Sequence, residues 1–376
     1  MDSARPKVLV APLDWGLGHA TRCISIIHEL KQQACEVVIA SSGAQKKLLS
    51  LEFPELRIID LPSYGLEYGK SGWATRLHLV LQTPKILRRI RSEGAWLRQI
   101  LASESFDLLI SDNRYGFFSP GLVTVFISHQ LNLRSGFGKF FDTRIAHKLF
   151  NYIEHFSYCW IPDHQFPPFL AGSMSHPETF PATDCRYIGP LSRFRKLDLP
   201  VSKDSLLILL SGPEPQRSIL ERKIIRELHQ CPCHCTLVRG LPESEQVLPK
   251  VPDLISYNHL PSDQLNRLIC ESEFIICRSG YTSVMELLTL GKKTIMVPTP
   301  GQAEQEYLAT HLHQENRILK ADQSTFNLNS LLDEAKGFPY HLPHLRLEGG
   351  LEQAVSEVLD RVEEFRRKKL DIVSKP

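Results

Sequence analysis

No stretch of this chain stays apolar for the roughly 20 residues that a membrane-spanning helix requires, so a helical span is not expected and membrane contact would be peripheral. Charge of one sign is equally scarce: 44 Lys and Arg stand against 42 Asp and Glu, a formal net charge of +2. That balance supplies no electrostatic footprint for wrapping nucleic acid, which is excluded as an expected partner. No Asp-x-Asp occurs. The usual carboxylate pair for a metal bridging a diphosphate is therefore missing, and neither metal nor cofactor is expected. The opening "MDSARPKVLVAP" lacks the zones of a signal peptide, and the nine cysteines are odd in number and scattered, which points to a reducing cytoplasm. "CPCHC" at Cys231 to Cys235 has no second ligand pair at zinc-site spacing and reads as cysteines alternating along a strand.

With 376 residues, 42% of them hydrophobic, the chain can bury two ordinary cores. Strands and helices alternate twice. "KVLVAP", "CEVVIASS", "LRIIDLP", "FDLLISD" and "LVTVFIS" read as buried strands of a first α/β unit. Its helices follow the first two strands, run from Gly72 to Glu104, and run from Lys139 to about Phe156. A Pro-, Gly- and Ser-rich stretch from Ile161 interrupts the pattern. Alternation restarts at "DSLLILLSG" and continues through "CTLVRG", "EFIICRSG" and "KTIMVPTP". The expected division is residues 1–160, a linker at 161–200, a second unit at 201–349, and a C-terminal helix at 350–376 that could tie the units together. Each unit reads as a doubly wound parallel sheet.

In such sheets ligands bind at the carboxyl ends of the strands. His19, following Gly16 and Gly18 where a strand gives way to a helix, stands at such a corner. In the second unit "CRSGYTSVMELL" ends a strand, turns tightly and opens a helix. Its free amides and positive dipole end make a phosphate cradle. Glu286 follows about one and a half turns on, within reach of a ribose diol, although an ordinary βαβ unit with Glu286 in a surface pair would have the same spacing. Gln302, Glu304, Gln305 and Glu306 stand where hydroxyl-rich groups could be gripped.

Cys277 to Gly280, Glu286, Gly291, Pro298 and Gln305-Glu306-Tyr307 resemble the donor-binding signature of the MurG-like family 28 glycosyltransferases. "GLGH", "SHQLN" and "SGPEPQRS" extend the likeness to both halves. The resemblance implies a GT-B fold: two Rossmann-like domains facing a central cleft, the first presenting the acceptor and the second holding the nucleotide-sugar. It implies Glu286 on the ribose; Ser279 and Gly280 with Ser211 and Gly212 along the diphosphate; Gln305 on the donor sugar; and main chain near Leu260 at the base. Gly18 and Arg278 belong to the same donor surface. Two departures matter. Glu306 replaces a second Gln and accepts without donating, which argues against an N-acetylglucosamine donor, and Pro213 and Pro215 remove backbone donors from the diphosphate loop, leaving other amides or Arg217 to compensate.

Within that frame His19 is the expected base that takes the acceptor's proton, with Asp14 orienting the imidazole or the acceptor, although an N-terminal helix residue satisfying local amides would read the same way. Asp112, Asn113, Arg114, His129, Gln130 and Asn132 are the acceptor candidates, each equally able to cap a turn or helix. The helix from Lys139 to Phe156 is a candidate for anionic lipid, although an amphipathic helix covering its own domain reads the same way. The expected activity is inverting transfer from a nucleotide-diphosphate donor, a UDP-sugar by expectation, to a hydroxyl acceptor such as a lipid-linked or cell-envelope glycan. A GT-B nucleotide-sugar 2-epimerase and a non-catalytic nucleotide-sugar-binding regulator are the alternatives.

Overall fold

A computed structural model describes residues 5–65, 81–132, 138–229, 234–244, 251–342 and 349–373. The first sheet is built from β1 (Lys7–Pro12), β2 (Glu36–Ser41), β3 (Arg57–Asp60), β4 (Leu108–Asp112), β5 (Val123–Ile127), β6 (Tyr158–Ile161) and β7 (Asp184–Tyr187). Its order is β3-β2-β1-β4-β5-β6-β7, and every pairing is parallel. Helices α1 (Gly18–Gln32), α2 (Gly43–Glu52), α3 (Thr83–Ser103) and α4 (Lys139–Ile153) connect its strands. Val8, Leu9, Val10 and Ala11 are all wholly buried, because helices cover both faces of a parallel sheet and leave no polar alternation along its inner strands.

The second sheet holds β8 (Ser202–Leu209), β9 (Cys235–Val238), β10 (Leu254–Tyr257), β11 (Ser272–Cys277), β12 (Lys293–Met296) and β13 (Leu319–Lys320). Its order is β10-β9-β8-β11-β12-β13, again parallel throughout. Around it lie α5 (Gln216–Leu228), α6 (Ser262–Glu271), α7 (Tyr281–Thr289), α8 (Ala303–Gln314) and α9 (Leu328–Gly337). The strand order reverses between β1 and β4 in one sheet and between β8 and β11 in the other. These are the two topological switch points where α/β sheets open a ligand crevice, and the carboxyl ends of both sets of strands meet across one cleft.

The segment read as a linker from residue 161 contains part of the first sheet. β7 lies within it, and β6, also unread, ends at Ile161, so the connection proper shortens to about 188–201. β7 and β10 are four-residue edge strands whose burial alternates, and β13 has two residues. Such short strands carry no apolar run to read. The part of the long first-half helix that lies within residues 66–80 is outside the described residues, as are Cys231 and Cys233. Cys235 is buried at the start of β9.

The last helix, α10 (Gly350–Val373), returns to the first sheet. Val355, Val358 and Val362 are buried in a core shared with α1 and β5. Arg366 Nε and Nη2 donate to Asp107 at 2.9 and 2.7 Å. Gly350 is required where the helix begins, since a Cβ there would meet the Ile188 carbonyl oxygen at 3.0 Å. Apolar burial outweighs the half-exposed ion pair. Val355→Ala is expected to cost about 2 kcal/mol, and Arg366→Ala less than about 1 kcal/mol. Urea unfolding of the full chain measures both, and the reverse order would mean that charge rather than packing holds the helix.

Candidate active site

The loop after β1 carries His19 into the cleft. Gly16 reverses the chain at φ +77°, and the Gln45 amide nitrogen donates to the carbonyls of Leu13 and Gly16 at 2.6 and 2.5 Å. Gly18 eases the close approach, because a Cβ there would stand 3.2 Å from Thr282 Oγ1, which would have to give by a few tenths of an ångström. Thr282, in the first turn of α7, instead donates to the Gly18 carbonyl at 2.9 Å. The first domain's glycine loop thus rests on the helix start of the second. His19 keeps a partly exposed ring and lines the cleft.

The carboxylate beside His19 is Asp112, placed by the register that pairs Pro12 with Asp112. Arg22 meets it with two nitrogens, Nε at 2.7 Å from Oδ2 and Nη2 on Oδ1. His19 Nδ1 lies 3.1 Å from Oδ2. Burial pushes the Asp112 carboxyl upward, but Arg22 and His19 beside it outweigh that and hold the group at about 2. Arg22 Nη2 also stands 2.8 Å from His19 Nδ1, so Nδ1 has a donor and an acceptor beside it. The Asp112 anion favours Nδ1–H, and Nη2 already has Oδ1 as acceptor. We assign that tautomer, which leaves the Nε2 lone pair as the free basic position.

The same arginine reaches toward the second domain. Arg22 Nη1 lies 3.2 Å from His129 Nδ1, and His129 Nε2 lies 3.0 Å from Glu304 Oε1. The His129 ring stacks on Tyr281 at 4.1 Å, and Gln130 Nε2 donates to the other Glu304 oxygen. Burial lowers the pKa of His129 against the opposing pull of Glu304, so this bridge is a neutral ring donating to a carboxylate. Burial would raise the pKa of Glu304, but its bond to His129 outweighs that and holds it below the usual range.

On the second-domain side Ser211, Gly212, Gly280, Glu286, Gln302, Glu304 and Gln305 line the cleft. Glu286 is buried and accepts from Arg193 Nε at 2.9 Å. Burial raises the pKa of Glu286 more than Arg193 lowers it. Arg193 is a residue the sequence reading missed: it lies in the connection between the domains, where an arginine among Pro and Gly was the one available signal. The cleft encloses about 190 Å³, below the roughly 300–1,000 Å³ of small-molecule sites, with the His129–Glu304 bridge spanning it.

Several expected site residues stand elsewhere. Asp14 accepts from Ser63, from the Tyr64 amide at 2.9 Å and from Arg114 at 3.2 Å, so Asp112 rather than Asp14 orients His19. Arg114 is wholly buried on the Pro12 carbonyl and Glu93 at 2.7 and 2.6 Å. Asn113 reverses the chain after β4 at φ +57°. Asn132 is bound through its amide to the Met174 carbonyl at 2.9 Å. None of Asn113, Arg114 and Asn132 lines the cleft, whereas His129 does. Arg217 is committed to Glu214 and Glu221 at 2.6 and 3.2 Å and faces a neighbouring cavity. Arg278 turns inward to the carbonyls of Gln216, Val297 and Pro298, and burial lowers its pKa to about 9. Ser279 is buried and holds the Gln305 carbonyl at 2.9 Å. Leu260 packs in the core while His259 lines the cleft. Glu306 accepts from the Gly301 amide at 2.7 Å, leaving Glu304 beside Gln305.

Two Rossmann-like sheets closing on one cleft define the GT-B class, and comparison with known proteins agrees. Residues 217–336 match the glycosyltransferase family 28 C-terminal domain. An uncharacterized glycosyltransferase of Methanosarcina acetivorans is 24% identical over 81% of each chain, and one of Methanosarcina mazei is 22% identical over 82% of this chain and 84% of its own. The fold resembles the glycosyltransferase of kitacinnamycin (TM-score 0.62, 13% identity, 97% and 99% of the two chains). It also resembles the spinosyn rhamnosyltransferase SpnG complexed with thymidine diphosphate (TM-score 0.60, 14% identity, 95% and 96%). The chain is a glycosyltransferase of GT-B fold whose residues 217–336 match the family 28 C-terminal domain.

The Asp112 carboxyl, held at about 2 against an unfolded value near 3.9, adds stability above pH ~4 that is lost as pH falls through ~2, worth about 2–3 kcal/mol. Asp112→Asn leaves Arg22 buried without its anion, at a cost of about 3–5 kcal/mol at neutral pH. Urea unfolding between pH 2 and 7 is expected to show that cost and a shallower acid limb in the variant. An unchanged acid limb would show that other carboxylates govern acid unfolding.

Proposed function

We propose that the protein transfers a sugar from a nucleoside-diphosphate donor, a UDP-sugar, to a hydroxyl acceptor, with inversion at the anomeric carbon and without a metal. The observation that carries the reading is the His19–Asp112 pair at the cleft, with the Nε2 position of His19 unbonded among the described residues. His19 Nε2 takes the acceptor hydroxyl's proton as that oxygen attacks the anomeric carbon. The bond from that carbon to the diphosphate oxygen breaks on the opposite face, and the nucleotide leaves with the electron pair. Asp112 stabilises the imidazolium that forms.

Gly280 and the first turn of α7 receive the diphosphate, Gln305 and Glu304 the donor sugar, and Glu286 the ribose diol. Opening of the cleft and exchange of Arg193 from Glu286 to a phosphate admit the nucleotide. The pyrimidine nucleotide named for SpnG agrees with a uridine donor. The acceptor is a lipid-linked or envelope glycan reached from the cytoplasmic side. No helix among the described residues is long and apolar enough to cross a membrane. Exposed Leu87, Arg88, Arg89 and Arg91 on α3, which form no ion pair among the described residues, suit peripheral contact with anionic lipid.

Calorimetric titration with UDP, GDP, dTDP and UDP-sugars, with and without chelator, tests the donor assignment. Chelator-insensitive binding of UDP is expected, and binding of none would remove it. Glu286→Ala is expected to weaken UDP by about 1.5–3 kcal/mol, and unchanged affinity would take Glu286 off the ribose. His19→Ala is expected to lower turnover by about 10²–10⁴-fold with donor binding kept; retained transfer would exclude His19 as the base.

A further inference from the structure

Every cysteine among the described residues is a free thiol, and two of them stand side by side away from the cleft. Cys159 in β6 and Cys185 in β7 are direct partners in the parallel register. Neighbouring strands run about 4.8 Å apart, inside the roughly 4.4–6.8 Å between Cα atoms that a disulfide bridges. Both side chains join the apolar cluster of Phe126, Phe150, Ile153 and Phe156, and the Cys159 thiol donates a hydrogen bond to the Cys185 sulfur. The two differ in access. Cys159 is wholly buried, whereas Cys185 is partly exposed on β7, the edge strand of the first sheet. The bond from Cys159 lowers the pKa of Cys185 against the upward pull of burial and of Asp184, and the same bond, with burial, raises that of Cys159. Elsewhere burial alone dominates and pushes the Cys35 and Cys277 thiols up to about 11 and about 12. A sulfur reachable from solvent and favoured as thiolate thus stands against a thiol that can resolve it, which inert core cysteines do not offer.

We propose that Cys159 and Cys185 form a reversible redox site whose oxidant is a hydroperoxide, hydrogen peroxide being the simplest. The Cys185 thiolate attacks one peroxide oxygen and the O–O bond breaks, leaving a sulfenic acid on Cys185 and a hydroxide that takes up a proton as water. The Cys159 sulfur then attacks the sulfenic sulfur, the S–O bond breaks, and the departing hydroxide takes the Cys159 proton as a second water. The two thiols together lose two electrons, and the peroxide gains them. The resulting disulfide joins the roots of two segments that reach the second domain. β6 runs into Pro162, whose carbonyl accepts from Tyr281 Oη at 2.7 Å, and β7 runs into the connection that carries Arg193 to Glu286. Oxidation therefore clamps the edge strand to its neighbour where the connection leaves the sheet.

Treatment of the full chain with hydrogen peroxide, then unfolding in N-ethylmaleimide and tryptic mass mapping, tests it. Residues 149–186 form one tryptic peptide in which Cys159 and Cys185 are the only cysteines. That peptide is expected to lose two hydrogens and take no maleimide, roughly ten-fold faster than any other described cysteine loses its label, and dithiothreitol is expected to restore both labels. Cys185→Ser is expected to leave Cys159 reduced and labelled. Cys159→Ala is expected to stop at a sulfenic acid on Cys185 that dimedone captures; if this buried variant does not fold by circular dichroism, Cys185→Ser decides. Hydrogen exchange of the β7 amides is expected to slow roughly five-fold on oxidation. Two labels kept on the peptide while other cysteines oxidise, undiminished oxidation of Cys159 in Cys185→Ser, or a disulfide between two copies on a non-reducing gel would overturn the redox site, and unchanged exchange in the oxidised protein would overturn the clamp.

Discussion

A carboxylate with no exposed surface sits at the end of β4, and the geometry of the cleft follows from the need to pair it. Asp112 stays ionised only because Arg22 meets it with two nitrogens; a buried anion without such a partner would take up a proton instead. Arg22 lies three residues beyond His19 on α1, so the pairing fixes the rotation of that helix about its axis. The rotation in turn sets His19 Nδ1 against Asp112 and leaves Nε2 free. One ion pair therefore orients both the helix and the ring proposed as the base.

Charge is balanced within each domain before the two meet. Asp112 pairs with Arg22, and Arg114 with Glu93 and Asp14, all in the first domain. Arg217 and Arg239 share Glu221 in the second. The bridge between domains is of another kind: a neutral His129 and the Gln130 amide donate to Glu304. Parting these groups exposes one carboxylate that water can solvate and leaves no buried charge orphaned. Separating any intradomain pair would strand an ion in a medium of low dielectric. Charge therefore opposes opening of the cleft less than it opposes separation of any intradomain pair, and a site of about 190 Å³ would have to open before the proposed nucleotide-sugar enters.

The inner strands were legible because parallel strands covered on both faces read as unbroken apolar runs, and the two glycine corners because Gly marks a strand-to-helix turn. The edge strands β7 and β10 were not, since half their residues face water. At the site, His19 could be singled out from its local surroundings, whereas the partner that orients it could not. Asp14 is five residues from His19 and Asp112 is 93 away, and only sheet register decides between them. Glu306 and Glu304 differ by two residues, yet the turn of α8 sends one back to its own loop and the other across the cleft. Arg217 and Arg278 were attractive as cations near phosphate loops. A sequence shows that a charge is present and not that Glu221 or a set of buried carbonyls already holds it.

Those two commitments sharpen the electrostatic problem of the proposed reaction. The leaving diphosphate gains charge as the glycosidic bond breaks, and Pro213 and Pro215 have removed amide donors from one of its two loops. With Arg217, Arg278 and Arg22 each engaged by buried partners, stabilisation falls to the free amides at the start of α7 and to Arg193. Arg193 is held by Glu286, and in the proposed reaction the ribose takes that carboxylate from it. Binding the nucleoside and freeing the cation for its phosphates are then one exchange. A bare diphosphate, having no ribose to displace Arg193, would meet a cleft in which that cation is still neutralised. Selectivity for the nucleotide over its phosphates alone follows from that coupling, independently of any contact to the base.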